Sequence, residues 1–203
     1  MAILRHRTAN AQLMEIFVCS ANRGKIKEII DLLPPAFSVK SLDNGSVELP
    51  ETGDTLEENA IQKARWGFDH SALPSIADDS GLEVDALNGA PGVHSARFAG
   101  PQRSDRDNME KLLHEIGTIS NRRARFRTVI AYCEGDSTQI FDGMINGHIS
   151  GTPRGSAGFG YDPIFIPEGA DRTFAEMSFQ EKQRSSHRAI AMNKLIAYLI
   201  RRV

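Results

Sequence analysis

The run Ser75-Ile76-Ala77-Asp78-Asp79-Ser80-Gly81 constrains this chain more than any other stretch, because a short apolar segment carries straight into two acids, a hydroxyl and a glycine. It predicts a strand that ends in polar groups, with Gly81 free to turn. Successive side chains on a strand face opposite ways, so only one of Asp78 and Asp79 faces a given ligand. Two acids are too few to hold a hard cation alone, since magnesium keeps an octahedral oxygen shell that waters and substrate phosphates complete. An acidic strand end therefore points to metal plus phosphate. The competing reading is a solvated turn rich in Asp, Ser and Gly.

The 203 residues, 40% hydrophobic and 25% charged, are enough for one sizeable core and predict a single domain, possibly of two lobes. Twenty-four basic against 26 acidic residues give a net charge of -2, so no global field draws the chain to nucleic acid, and anion binding has to be local. Cys19 and Cys133 stand far apart without metal-ligand spacing, which fits a reducing cytoplasm. No apolar stretch approaches membrane-span length. Residues 1–15, with Arg5, His6 and Arg7 and no acid before Glu15, read as a flexible tail rather than an organelle presequence, leaving residues 16–203 as the domain.

A buried-strand candidate, Glu15 to Ser20, leads through Ala21-Asn22-Arg23-Gly24 into a helix with Ile26, Ile29, Ile30 and Leu33 on one stripe, which Pro34-Pro35 stops. Such a turn offers free N–H groups and a positive dipole end to an anion, with Lys25 in the first turn. Lys27 and Glu28 read as the wet face. Phe37 to Leu42 is a second strand candidate and Asp43 to Asp54 a loop. Thr55 with Glu58 forms a capping box, and Lys63, slightly over two turns on, reads by default as a surface lysine on the side of that cap.

Ser104 to Ile116 predicts an amphipathic helix, and within the basic cluster Arg122, Arg123, Arg125 and Arg127 the alternation from Arg125 to Tyr132 predicts a strand with a solvated face. Arg97, close to the irregular Asn88 to Gly92 segment, reads as an exposed arginine able to clamp phosphate. Thr138 to Phe141 and Met144 to Ser150 suggest further strands, making the middle of the chain antiparallel where its beginning is strand-helix. In the glycine-rich segment Gly155 to Pro163, Phe159 and Tyr161 read as poor core candidates and as platforms for a flat heterocycle, with Asp162 an acceptor for ring N–H groups. Ser178 and Glu181 open a last helix, with Lys182, His187 and Arg188 as clustered donors near its beginning.

Five segments in order, SANRGKIKE, LPETGDTLEENAIQKA, IADDSGLEVDALNGAPGVHSARFAG, GFGYDPIF and EKQRSSHRA, resemble the inosine triphosphate pyrophosphatases, the Ham1 or RdgB-like family. The resemblance covers the chain from about Ile16 to its end. It implies an α/β fold with a long mixed, twisted sheet flanked by helices, two lobes and a central active-site cleft, and a homodimer. It implies hydrolysis of ITP, dITP and XTP to monophosphate and pyrophosphate. Its rivals are a non-catalytic purine-nucleotide-binding regulator and a pyrophosphatase for other modified nucleotides. By motif, Ser20, Ala21, Asn22, Arg23, Gly24 and Lys25 would hold the triphosphate and Glu51 and Asp79 magnesium, with Asp79 also the proton acceptor. Lys63 would assist near the phosphates, and Ser80 would contact substrate. Phe159, Gly160, Tyr161, Asp162, Lys182, His187 and Arg188 would form the base pocket. His94 stands where the family usually has tyrosine.

Overall fold

The computed structural model describes residues 13–42 and 47–202, so most of the tail reading and the start of the Asp43 to Asp54 loop lie outside the described residues. Strand β1 (Met14–Val18) opens two residues before Ile16 and runs into helix α1 (Arg23–Leu32) and strand β2 (Phe37–Ser41). Helix α2 (Leu56–Ser71) begins at the expected capping box, where Thr55 accepts from the Glu58 N–H and the Glu58 carboxylate accepts from the Thr55 N–H. Strand β3 (Ser75–Val84), helix α3 (Asp105–Ile116) and the long hairpin of β4 (Arg123–Glu134) and β5 (Ser137–Ile149) follow. A short strand β6 (Phe165–Pro167) and helices α4 (Phe179–Ser185) and α5 (His187–Ile200) complete the chain.

The strands form one mixed sheet in the order β2-β1-β3-β4-β5-β6, parallel from β2 to β3 and antiparallel from β3 onward. The α/β reading with a mixed sheet is borne out. Where two strands were expected after Cys133, a single thirteen-residue strand runs instead, because Asp142 and Gly143 stay in register with Val129 and Thr128 of β4. The expected single last helix is two. Ser186 ends α4 and caps α5 with its side chain, so the chain turns there.

Alternation along the strands builds the core. On one face Ile16, Val18, Ile76, Ile130 and Tyr132 pack under α5 and Ile29 of α1; on the other Phe17, Ala77, Val129 and Ala131 pack under α2. Beyond Gly81 the same strands enter a different cluster, with Leu82, Val84 and Phe126 against Phe165, Phe174 and Leu112. Asp78 to Gly81 occupies the seam between these half-cores. Tyr161, expected outside the core, is buried in that second cluster and donates its hydroxyl to the Ser95 carbonyl at 2.9 Å. Glycine neighbours said nothing of where its ring would go.

Candidate active site

The pleat of β3 separates the paired acids as expected. Asp78 turns toward α1 and α5, where its Oδ2 accepts from Lys25 Nζ at 3.2 Å, Arg188 Nε at 3.2 Å and Nη2 at 3.1 Å, and the Ser80 hydroxyl at 2.9 Å. Burial works against its charged form, but Lys25 and Arg188 outweigh it and hold the carboxyl far below the ordinary range. Asp79 turns toward α2. Its Oδ1 lies 2.6 Å from Lys63 Nζ, which also reaches Glu51 Oε1 at 2.9 Å, and its Oδ2 accepts a long 3.5 Å contact from Asn59. Burial lifts the Asp79 carboxyl above its usual value against the pull of Lys63, so this acid retains an appetite for a proton that Asp78 lacks.

Lys63 is buried rather than exposed. Burial disfavours its ammonium, yet Asp79, Glu51 and Asp78 together raise its pKa. Its partners lie 16 and 12 positions away in the chain, beyond the reach of helical spacing. Glu28 likewise departs from the wet-face reading: it is buried and accepts from Lys182 Nζ at 2.9 Å and from Arg188 Nη1. Burial opposes its charge, and Arg188 and Lys182 overcome this to lower its pKa. Lys182 also donates to Asp162 Oδ2 at 2.6 Å, while that same oxygen accepts the Phe159 N–H at 3.0 Å and so fixes the glycine-rich loop.

Above this network the Phe159 ring lies 4.9 Å from Lys182 Nζ and 5.7 Å from the Arg188 guanidinium carbon. His187 stacks on Phe126 at 4.7 Å, and its buried Nδ1 has no partner. Burial first, and then Arg188 and Lys182, push its pKa well below the ordinary value, so the imidazole is neutral. On the other side of Asp79, α1 starts at an Asn22 cap whose side chain accepts the Lys25 N–H at 3.1 Å. One recess thus joins Asp79 and Ser80 to Phe159, Lys182, His187 and Arg188, and a neighbouring one joins Ser20, Asn22 and Lys25 to Glu51 and Lys63.

The profile of the Ham1 family matches residues 16–198. The chain belongs to the Ham1 family. Relatives of this Ham1 chain include a protein of Flavobacterium psychrophilum named dITP/XTP pyrophosphatase, 46% identical over 187 residues that cover 91% of this chain and 98% of the relative. A protein of the same name from Bacillus subtilis is 46% identical over 189 residues, covering 90% and 96%. Among solved structures, the Staphylococcus aureus Ham1 protein superposes with a TM-score of 0.83 at 42% identity, covering 93% of this chain and all of that one. A HAM1 protein from Coxiella burnetii gives 0.82 at 40% identity, covering 93% and 99%.

Of the expected site residues, Ala21 lines the second recess, Gly160, Tyr161 and Asp162 line the first, and Glu51 lines both. Arg23 and Gly24 line neither. Arg23 is exposed, and Gly24 instead makes room for the Phe159 ring, whose Cδ1 would lie 2.6 Å from any Cβ there. His94 is exposed and outside both recesses. Sequence reasoning missed Glu28, Asn59, Arg103 and Asp105. For Asn59 a signal existed: at N4 of a capped helix, it places its amide beside the Gly53 N–H, which it accepts at 2.8 Å. Among the described residues, no three His, Cys, Asp or Glu side chains converge as a protein-only metal cage.

Proposed function

We propose that this chain hydrolyses ITP, dITP and XTP between the α and β phosphates, giving a monophosphate and pyrophosphate and clearing deaminated purines from the nucleotide pool. The observation that carries this reading is the convergence of Glu51 and Asp79 on Lys63, beside the start of α1. Two hard carboxylates next to a phosphate-binding helix end suit magnesium, which takes one or two carboxylates with phosphates and water. Glu51 and Asp79 would hold it. Bound there, it supplies neutralisation of phosphate charge, which makes pyrophosphate a better leaving group.

The chain's own groups have distinct tasks. Asp79 takes the proton of the attacking water, for which its raised pKa suits it. Lys63 faces the negative charge that grows on the phosphates, and Ser20, Asn22 and Lys25 hold the triphosphate at the helix end. Lys182 spends two of its three hydrogens on Glu28 and Asp162, leaving one for a purine O6. A 6-keto purine accepts there, whereas adenine presents an amino group and would leave buried donors unpaired. The unpartnered Nδ1 of neutral His187 is a further contact for the base.

We read the protein also as cytoplasmic and homodimeric. Both cysteines are free and buried, and among the described residues no helix is long and apolar enough to cross a membrane. Ile140 and Met144, 50% and 43% exposed on β5, support a second copy covering that strand, which sedimentation velocity would test.

The deciding experiment is magnesium-dependent pyrophosphate release from ITP, XTP, dITP, GTP, ATP and dTTP in parallel, with Asp79→Asn as control. Selective release from ITP, dITP and XTP that vanishes in the variant is expected. Release from dTTP instead would overturn the base pocket, and absence of release from every nucleotide would overturn the enzyme.

A further inference from the structure

Glu51 holds more positive charge than one carboxylate needs. Lys63 occupies its Oε1, while Arg103 Nη2 at 3.3 Å and Arg97 Nη1 at 3.7 Å both address Oε2. The two arginines belong to the connection between β3 and α3: Arg97 closes the short helical turn Gly92–Arg97, and Arg103 precedes the Ser104 cap of α3. Arg103 adopts φ +52, a left-handed conformation uncommon for a side-chain-bearing residue, with its N–H donated to the Gly100 carbonyl at 3.3 Å. Its side chain is 52% exposed and lines the recess that holds Asn22, Lys25 and Lys63. An exposed ion pair of this kind is weak and changes partners at little cost.

We propose that Arg103, seconded by Arg97, is shared between Glu51 and the outer phosphates of the nucleotide, so that binding of the triphosphate hands Glu51 over to the metal. This rests on the function proposed above and names the residue that reads the phosphate end. Glu51 Oε2 is sought by two guanidiniums and by any divalent cation, so cation and arginine compete for it. A triphosphate tail removes the competition, because the guanidinium fork matches phosphate oxygens at least as well as a carboxylate. Metal and triphosphate then each tighten the other by the same factor. A monophosphate, too short to reach the arginines, lacks this effect, which also favours release of the monophosphate product.

The test measures binding rather than turnover. Mn²⁺ binding is followed by electron paramagnetic resonance for wild type, Arg103→Ala, Arg103→Lys and Arg97→Ala, with and without the α,β-methylene analogue of ITP. Calorimetry gives affinities for that analogue and for IMP. Arg103→Ala is expected to bind Mn²⁺ alone about three- to tenfold more tightly and the triphosphate analogue about tenfold more weakly, with IMP unchanged. The factor by which metal and analogue promote each other should fall toward one, Arg103→Lys should lie between, and Arg97→Ala should move the same way by less. Unchanged or weaker Mn²⁺ binding in Arg103→Ala, or equal weakening of analogue and IMP, overturns the proposal. If wild type releases pyrophosphate but Arg103→Ala binds like wild type, this inference fails alone. Absence of any release from wild type fails the proposed function instead.

Discussion

An Asp79→Asn protein keeps the shape of the side chain and loses the charge that Lys63 faces, so the cost falls on the reaction. About 2 to 4 kcal/mol of transition-state stabilisation is expected to go, read as a fall in the rate of pyrophosphate release with the urea midpoint little changed. Asp78→Asn should do the opposite of sparing the fold. It removes one of the two carboxylate charges that face Arg188, which is 1% exposed, and leaves only Glu28 there; breaking a buried ion pair costs about 3 to 5 kcal/mol. Much of this was legible, since strand parity alone sent the two acids apart. What stayed hidden is who meets them: Glu28 looked solvated because the lysine that buries it lies 154 positions further along the chain. No local pattern carries that distance. His187 gives a prediction in pH. Its folded pKa is depressed, so the unfolded chain binds a proton that the folded one refuses, and stability should decline as pH falls below about 6.5. Urea midpoints between pH 7.5 and 5 should show this slope, and His187→Gln should flatten it.

Helices α4 and α5 work as a pair because Ser186 separates them. The side chain of Ser186 accepts the Ala189 N–H at 3.2 Å while its own N–H goes back to the Lys182 carbonyl, so Lys182 in the last turn of α4 and Arg188 in the first turn of α5 both reach Glu28. The sequence marked the start of α4 by its capping box but not this break, since Ser185-Ser186 sits inside an unbroken helical pattern. A second contact pins α5 from below. A Cβ on Gly143 of β5 would stand 2.0 Å from the His187 carbonyl oxygen, so the glycine is what lets the helix start rest on the sheet. Gly143→Ala is expected to destabilise the protein by about 1 to 3 kcal/mol and to lower activity beyond that loss, because it pushes His187 and Arg188 away from the cleft. Thermal melting and pyrophosphate release at a temperature well below the midpoint would separate the two effects.

Over the whole molecule, the site lies on the seam between two half-cores, and its groups come from both ends of the chain. Binding at the seam should therefore report in global stability. A saturating ITP analogue with magnesium at about a hundred times its dissociation constant should add about 2.7 kcal/mol, seen as a raised melting midpoint, while IMP at the same concentration should add less. The passage from a parallel to an antiparallel part of the sheet was readable from the change between strand-helix and hairpin character along the chain. The strand that both parts share was not, because the unbroken pairing of β3 with β4 from Ser75 and Cys133 to Val84 and Ala124 joins residues that no short window contains. That ladder has a mechanical consequence. A cleft whose floor is a continuous hydrogen-bonded ribbon has no loop hinge beneath it, so any change in its width has to be carried by twist and bend of the ribbon itself. The rim is held more lightly than this floor: there the Gly160 N–H is tied to Asp105 by a single hydrogen bond of 2.7 Å.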